Sequence, residues 1–199
     1  MNKKLVAVAA LAAAMAVPAF AQSKAQEGNW MVRARAVHLD SRNSDSTGLN
    51  LNINDKWLPE VDISYFFTPN IAAELILTVP QKHTLNSGAT RIGTLRHLPP
   101  TLTVQYHFTN FNGFRPYVGA GVNYTRFSSV SLPAGVDIER SSFGGALQLG
   151  VDIPVAKNVV LNFDLKKVYI QTDVSAAGAR IGTFKVDPVL FGVGVGYRF

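Results

Sequence analysis

From Trp30 onward, apolar and polar side chains alternate with a period of two in run after run, and a 3.6-residue helical stripe is almost absent. The most regular run is at the C-terminus. Val189, Phe191, Val193, Val195, Tyr197 and Phe199 share one face, and Leu190, Gly192, Gly194, Gly196 and Arg198 share the other. A face made mostly of glycine is a poor face for water. The same alternation sets Val61, Ile63, Tyr65 and Phe67 against Glu60, Asp62, Ser64 and Phe66, and Ala73, Leu75, Leu77 and Val79 against Ala72, Glu74, Ile76 and Thr78. Further runs start near Trp30, Thr101, Tyr117, Phe143 and Val159, which makes eight predicted strands. Each approaches the ~10 residues that a tilted membrane-spanning strand needs.

The connections carry a second periodicity. Thr68–Asn70, Thr109–Phe114 and Ile153–Asn158 are brief, with Gly113 and Pro154 as breakers. Asp40–Lys56, Gln81–Arg96, Ser128–Arg140 and Asp173–Thr183 are long and polar, and the two kinds alternate along the chain. A barrel with both termini on one side of a membrane produces this order, with short turns on the periplasmic side and long loops outside. Lipid offers no hydrogen-bond partner, so each strand must be paired on both edges, and only closure achieves that. The predicted fold class is therefore all-β: an eight-stranded antiparallel transmembrane β-barrel.

Composition changes the picture mainly at the N-terminus. Lys3 and Lys4 precede an uncharged Leu5–Val17 run, and Ala19-Phe20-Ala21 offers the small residues of a signal-peptidase site. Residues 1–21 read as a secretory signal and 22–199 as the barrel. Removing the signal takes two of the 19 Lys and Arg with it, leaving 17 against 13 Asp and Glu. That excess is spread along the chain, so no nucleic-acid partner is expected. The chain has no Cys and shows no metal-ligand spacing, and no cofactor is expected.

In an eight-stranded barrel the interior is largely filled by side chains. Alternation turns Arg33, Arg35, Glu60, Asp62, Glu74, Gln105, His107, Gln148, Asp164, Lys166 and Arg198 inward, where opposite charges are expected to pair. Trp30, Trp57, Tyr65, Phe67, Tyr106, Phe108, Phe114, Tyr117, Phe127, Tyr169, Tyr197 and Phe199 suit interfacial girdles.

The segments TPNIAAEL (Thr68–Leu75), HLPPTLTVQYHF (His97–Phe108), FRPYVGAGVNYT (Phe114–Thr125) and the closing VGYRF (Val195–Phe199) resemble the OmpW family of outer-membrane proteins. The resemblance implies an apolar channel open to the outside that passes small hydrophobic molecules and releases them sideways through the wall. It also implies residence in a Gram-negative outer membrane, among lipid and lipopolysaccharide. The family's constriction has an inward aliphatic on the third strand, matched by Ile76, and an aromatic on the seventh, where this sequence departs with Lys166. Met31, Val37, Leu39 and Val168 are the other inward candidates for a greasy path. Pro99 and Pro100 lack N–H donors and mark a candidate lateral exit. The aromatic ending, Tyr197 and Phe199, resembles the signal read by the barrel-assembly machinery.

Two other functions compete with transport: a structural or surface-interaction barrel through which nothing passes, and a lipid-modifying outer-membrane enzyme. The enzyme would need a histidine beside a serine nucleophile and an orienting carboxylate. His38, His83, His97 and His107 show no motif tying them to Ser128, Ser129, Ser131, Ser141 or Ser142, so no catalytic residue is assigned.

Overall fold

Each strand of alternating residues exposes backbone donors and acceptors along two edges, and in the computed structural model every one of the eight long strands finds a partner on both. The structure describes residues 28–199, so the signal-sequence reading of residues 1–21 lies outside the described residues. The barrel strands are β1 (Trp30–Asp40), β2 (Lys56–Phe66), β3 (Ile71–Thr78), β4 (Thr101–His107), β5 (Arg115–Ser131), β6 (Ser141–Ala156), β7 (Val159–Val168) and β8 (Val189–Arg198). Each pairs antiparallel with its neighbours in sequence, and β8 returns to β1 through a register running from Met31↔Arg198 to Asp40↔Val189. Backbone bonds between Trp30 and Phe199 in both directions seal that seam. Gly28, Phe199 and three short turns share one end, here called the lower end.

The alternation sorts side chains as the closed sheet requires. Val61, Leu77, Val104, Leu149 and Phe191 are exposed on the outer wall, and Phe143 is 72% exposed. So continuous an apolar surface is unsuited to water. Aromatics rim it: Trp30, Phe67, Tyr106 and Tyr197 at the lower end, Trp57, Tyr124 and Tyr169 at the upper. The glycines of β8 face inward because the arginines of β1 lie over them. A Cβ at Gly196 would sit 2.9 Å from Arg33 Cγ and 2.8 Å from Val160 Cγ2.

Three expectations need correction. Tyr117 does not join a girdle; it points into the lumen and is fully buried, as the parity of Val118 on β5 requires. Phe127 is likewise buried, packed in the upper apolar cluster rather than at the lipid face. The Ile153–Asn158 connection is shorter than expected, because β6 runs through Pro154 to Ala156 with a register shift that absorbs the proline's missing donor.

The long upper connections also hold more structure than their polarity suggests. Gln81–Ser87 and Thr90–Leu98 form a ribbon that pairs with Leu51–Ile53 on one side and with the upper part of β5 on the other. Gln171–Ala176 and Ala179–Lys185 form another, flanked by Val136–Ile138 and Ser44–Asp45. Ala177 and Gly178 both have positive φ, the conformation that lets a two-residue turn match the strand twist. Apolar residues of both sheets, among them Leu51, Leu85, Leu95, Ile138, Val174 and Phe184, meet above the barrel in one cluster with Val37, Leu39 and Leu190. The main apolar core thus caps the lumen instead of filling it.

Candidate functional site

The middle of the lumen is built from charge. Arg33 and Arg35 project from β1 at successive inward positions, so their guanidinium groups meet carboxylates from both sides of the barrel. Arg33 grips Asp152 of β6 with two nitrogens, at 3.2 and 2.8 Å, and reaches Asp62 of β2 at 3.1 Å. Arg35 contacts Glu60 at 2.9 Å, Asp62 at 2.7 Å and Glu74 at 3.1 Å. Lys166 of β7 bridges Glu60 at 2.6 Å and Asp164 at 2.8 Å. Neutral groups add hydrogen bonds: the Tyr117 hydroxyl donates to Asp164 at 2.7 Å, and the Gln148 and Gln105 amides donate to Glu74, both at 2.8 Å. These side chains are almost wholly buried. In such surroundings each charge is held by its partners, and losing one partner strands the other. The network ties β1, β2, β3, β4, β5, β6 and β7 together across the lumen and forms a plug.

Above the plug lies a chamber whose water-accessible cavity is about 30 Å³, within about 480 Å³ of space between atoms when the solvent at its mouth is counted. Its lining is chiefly aliphatic: Leu39, Leu58, Ile76, Val168, Ile170 and Leu190, with Pro99 and Pro188. Glu60 and Lys166 contribute the charged lining next to the plug, while Thr78, Gln81, His97 and Thr101 are the other polar members.

Four of the six residues expected to line a greasy path, Leu39, Ile76, Lys166 and Val168, meet in this chamber. Val37 is buried in the adjoining apolar cluster, and Met31 sits far below with Phe66, Ala72 and Val160 beside a second, lower cavity. Pro99 lines the chamber. Pro100 does not; its carbonyl accepts the Tyr124 amide and the Asn123 side chain. Tyr197 and Phe199 lie on the outer wall at the lower end, ring centroids 6.1 Å apart. The alternation did not single out Leu58, Ile170, Pro188 or Leu190 as lining, since burial toward a chamber and burial in a core look alike in sequence.

One side of the chamber is a weak place in the wall. Pairing of β3 with β4 ends at Ile76↔Thr101, and the ribbon above begins at Gln81↔His97. Between those two pairs, residues 77–80 and 98–100 form no ladder with each other, and Pro80, Pro99 and Pro100 supply no N–H. Thr78 and Pro99, on either side of that gap, both line the chamber.

At the upper rim, beyond Trp57, His83 and His97 stack with centroids 4.5 Å apart and planes 9° from parallel. His83 Nδ1 is 3.1 Å from the Asn54 carbonyl, so that nitrogen carries the proton and Nε2 is an acceptor, without a partner among the described residues. His97 Nδ1 is buried without one among them as well. Burial pushes His83 down to about 4, and burial beside His83 pushes His97 down to about 3. Both rings are neutral at physiological pH.

The OmpW family model matches residues 24–199. The uncharacterized outer-membrane protein y4mB of Sinorhizobium fredii is 43% identical over 183 residues, covering 85% of this chain and 80% of that protein. The dibenzothiophene metabolism operon protein PahQ of Pseudomonas aeruginosa is 29% identical over 171 residues, covering 78% and 73%. Among solved structures, the crystal structure of the outer membrane protein OprG from Pseudomonas aeruginosa superposes with a TM-score of 0.75 at 26% identity, covering 87% of this chain and 96% of that one.

Proposed function

This chain belongs to the OmpW family and is an outer-membrane β-barrel, and on that premise we propose that it carries small hydrophobic molecules from outside into the outer membrane. The carrying observation is the apolar chamber, closed below by the ion-paired plug and bounded on one side by the place where residues 77–80 and 98–100 form no ladder with each other. A solute enters past the upper ribbons, is held by Leu39, Leu58, Ile76, Val168 and Leu190, and leaves sideways between Thr78 and Pro99 into hydrocarbon. The sugars of lipopolysaccharide resist greasy solutes, and a short dry route bypasses them. Lys166, where the family carries an aromatic, makes the base of the route a salt bridge and directs exit to the wall. The name of PahQ places that relative with the metabolism of an apolar aromatic, which suits the same reading. No reaction is part of it.

The surroundings fit this role. Just above the lipid belt the outer face carries Lys82, Arg96 and Arg126, with Lys82 directly opposite Arg96 in the ribbon. None has an ion-pair partner among the described residues, and lipopolysaccharide phosphates would supply one. Tyr197 and Phe199 stay available to the assembly machinery during insertion.

The plug also favours a second reading, a surface-interaction barrel that conducts nothing. Initial uptake of a hydrophobic solute by deletion cells, with and without the gene restored, separates the two. Transport predicts uptake several-fold faster on restoration, lost again when Leu58→Trp fills the chamber. Equal rates in all three strains would leave only the surface role.

A further inference from the structure

The chamber's polar lining is committed elsewhere, with one exception. Glu60 and Lys166 hold each other at 2.6 Å. Thr78 donates to the Pro59 carbonyl at 2.7 Å, Gln81 to the Val79 carbonyl at 2.9 Å, and Thr101 to the Pro99 carbonyl at 3.1 Å. His97 is different: it lines the chamber, is 1% exposed, and its Nδ1 meets no donor or acceptor among the described residues. Folded proteins rarely leave such an atom unpaired, because the water it gave up is not replaced.

His83 lies flat against the ring, itself anchored through Nδ1 to the Asn54 carbonyl, and Phe127 stands opposite His97 in the ladder. An ion is a poor candidate to complete the site, since it would have to shed water into an aliphatic chamber whose charges are already paired. A neutral hydroxyl suits it, being donor and acceptor at once and so matching either tautomer of the imidazole.

We propose that the chamber selects apolar molecules bearing one neutral hydroxyl, alcohols or phenols, over bare hydrocarbons of the same size, with the His97 imidazole as the hydrogen-bond partner and His83 as the ring that positions it. This rests on the transport reading above and names the solute class of that same chamber. A site that offers a hydrogen bond discriminates against an analogue lacking the group far better than an aliphatic pocket discriminates by size.

The test uses the full chain refolded in bicelles, with naphthalene and 1-naphthol as a size-matched pair, and each affinity corrected for partition into empty bicelles. Wild-type protein is expected to prefer the naphthol by about tenfold, equivalent to about 1.4 kcal/mol. His97→Phe should reduce the preference below about twofold, while His97→Gln, which keeps a hydrogen-bonding group, should retain part of it. In the wild-type protein the ¹⁵N shifts of the His97 ring should move with naphthol and not with naphthalene, a readout that survives any failure of a variant to fold. Equal affinities, or unmoved ring shifts with bound naphthol, would overturn the hydroxyl preference and leave the transport reading standing. Binding of neither solute would overturn both.

Discussion

Arg33 shows how closely single residues are constrained here. It reaches Asp62 and Asp152 from a strand whose neighbour offers only glycine beneath it. Arg33→Met would leave two carboxylates with a lost partner, and such a change typically costs about 3–5 kcal/mol. Urea unfolding from lipid bilayers should register that loss. Lys166→Met should cost visibly less, because Glu60 keeps Arg35 while Asp164 keeps Tyr117 and Gln148. The histidine pair above the belt makes a second prediction. Both imidazoles titrate below the ordinary value of 6.5, so the opened ribbon takes up protons before the folded one. Stability of the Gln81–Leu98 ribbon is therefore full above pH 6.5 and declines as pH falls toward about 4 and about 3. Asp55 nearby opposes the effect on His83 slightly, and Lys56 adds to it. Amide resonances of the ribbon should broaden over that window while those of β6 and β7 persist, and His83→Phe combined with His97→Phe should abolish the difference. Alternation foretold every one of the eleven inward polar residues it named, all buried in the structure. It missed Asp152, the strongest partner of Arg33, because Pro154 two residues on marked that stretch as a turn.

Elements were legible where lipid enforces their pattern and less so where it does not. The membrane segments alternate because one face meets hydrocarbon and the other a crowded lumen, and that physics reads directly from sequence. The upper ribbons face water on one side and an apolar cluster on the other, and their turns lack the usual Asn-Gly signal. Ala177-Gly178 adopts the required positive φ without it, so polarity alone suggested a loop. The ribbon Gln81–Leu98 also sets Lys82 against Arg96, an arrangement that costs stability without a counter-anion. Arg96→Gln with Arg126→Gln should lower co-purifying lipopolysaccharide by about fivefold per residue, taking about 1 kcal/mol for each basic group near an anionic surface. In lipopolysaccharide-free detergent, Arg96→Gln alone should leave the barrel's stability unchanged or slightly raised. A fall there would mean that Arg96 serves the fold.

At the scale of the whole molecule the interior is layered: a small apolar base around Met31 and Phe66, a charged plug, then an apolar chamber beneath a folded cap. The barrel and its polar lumen were readable from the sequence, since closure and alternation determine them. The chamber was readable only in part. Its lining comes from Leu58 of β2, Ile170 and Pro188 beside the ribbon, and Leu190 of β8, brought together by barrel closure and not by any spacing along the chain. On the transport reading solutes and ions are treated differently: ions meet buried, ion-paired charge, while greasy molecules meet a chamber with a gap in its side. Reconstitution into vesicles with lipopolysaccharide in the outer leaflet tests this most directly, by following transfer of a hydrophobic solute into the lipid and ion conductance on the same preparation. Faster solute transfer with conductance at the protein-free baseline is the predicted result. Ion conductance through single barrels, or solute transfer no faster than in empty vesicles, would contradict it.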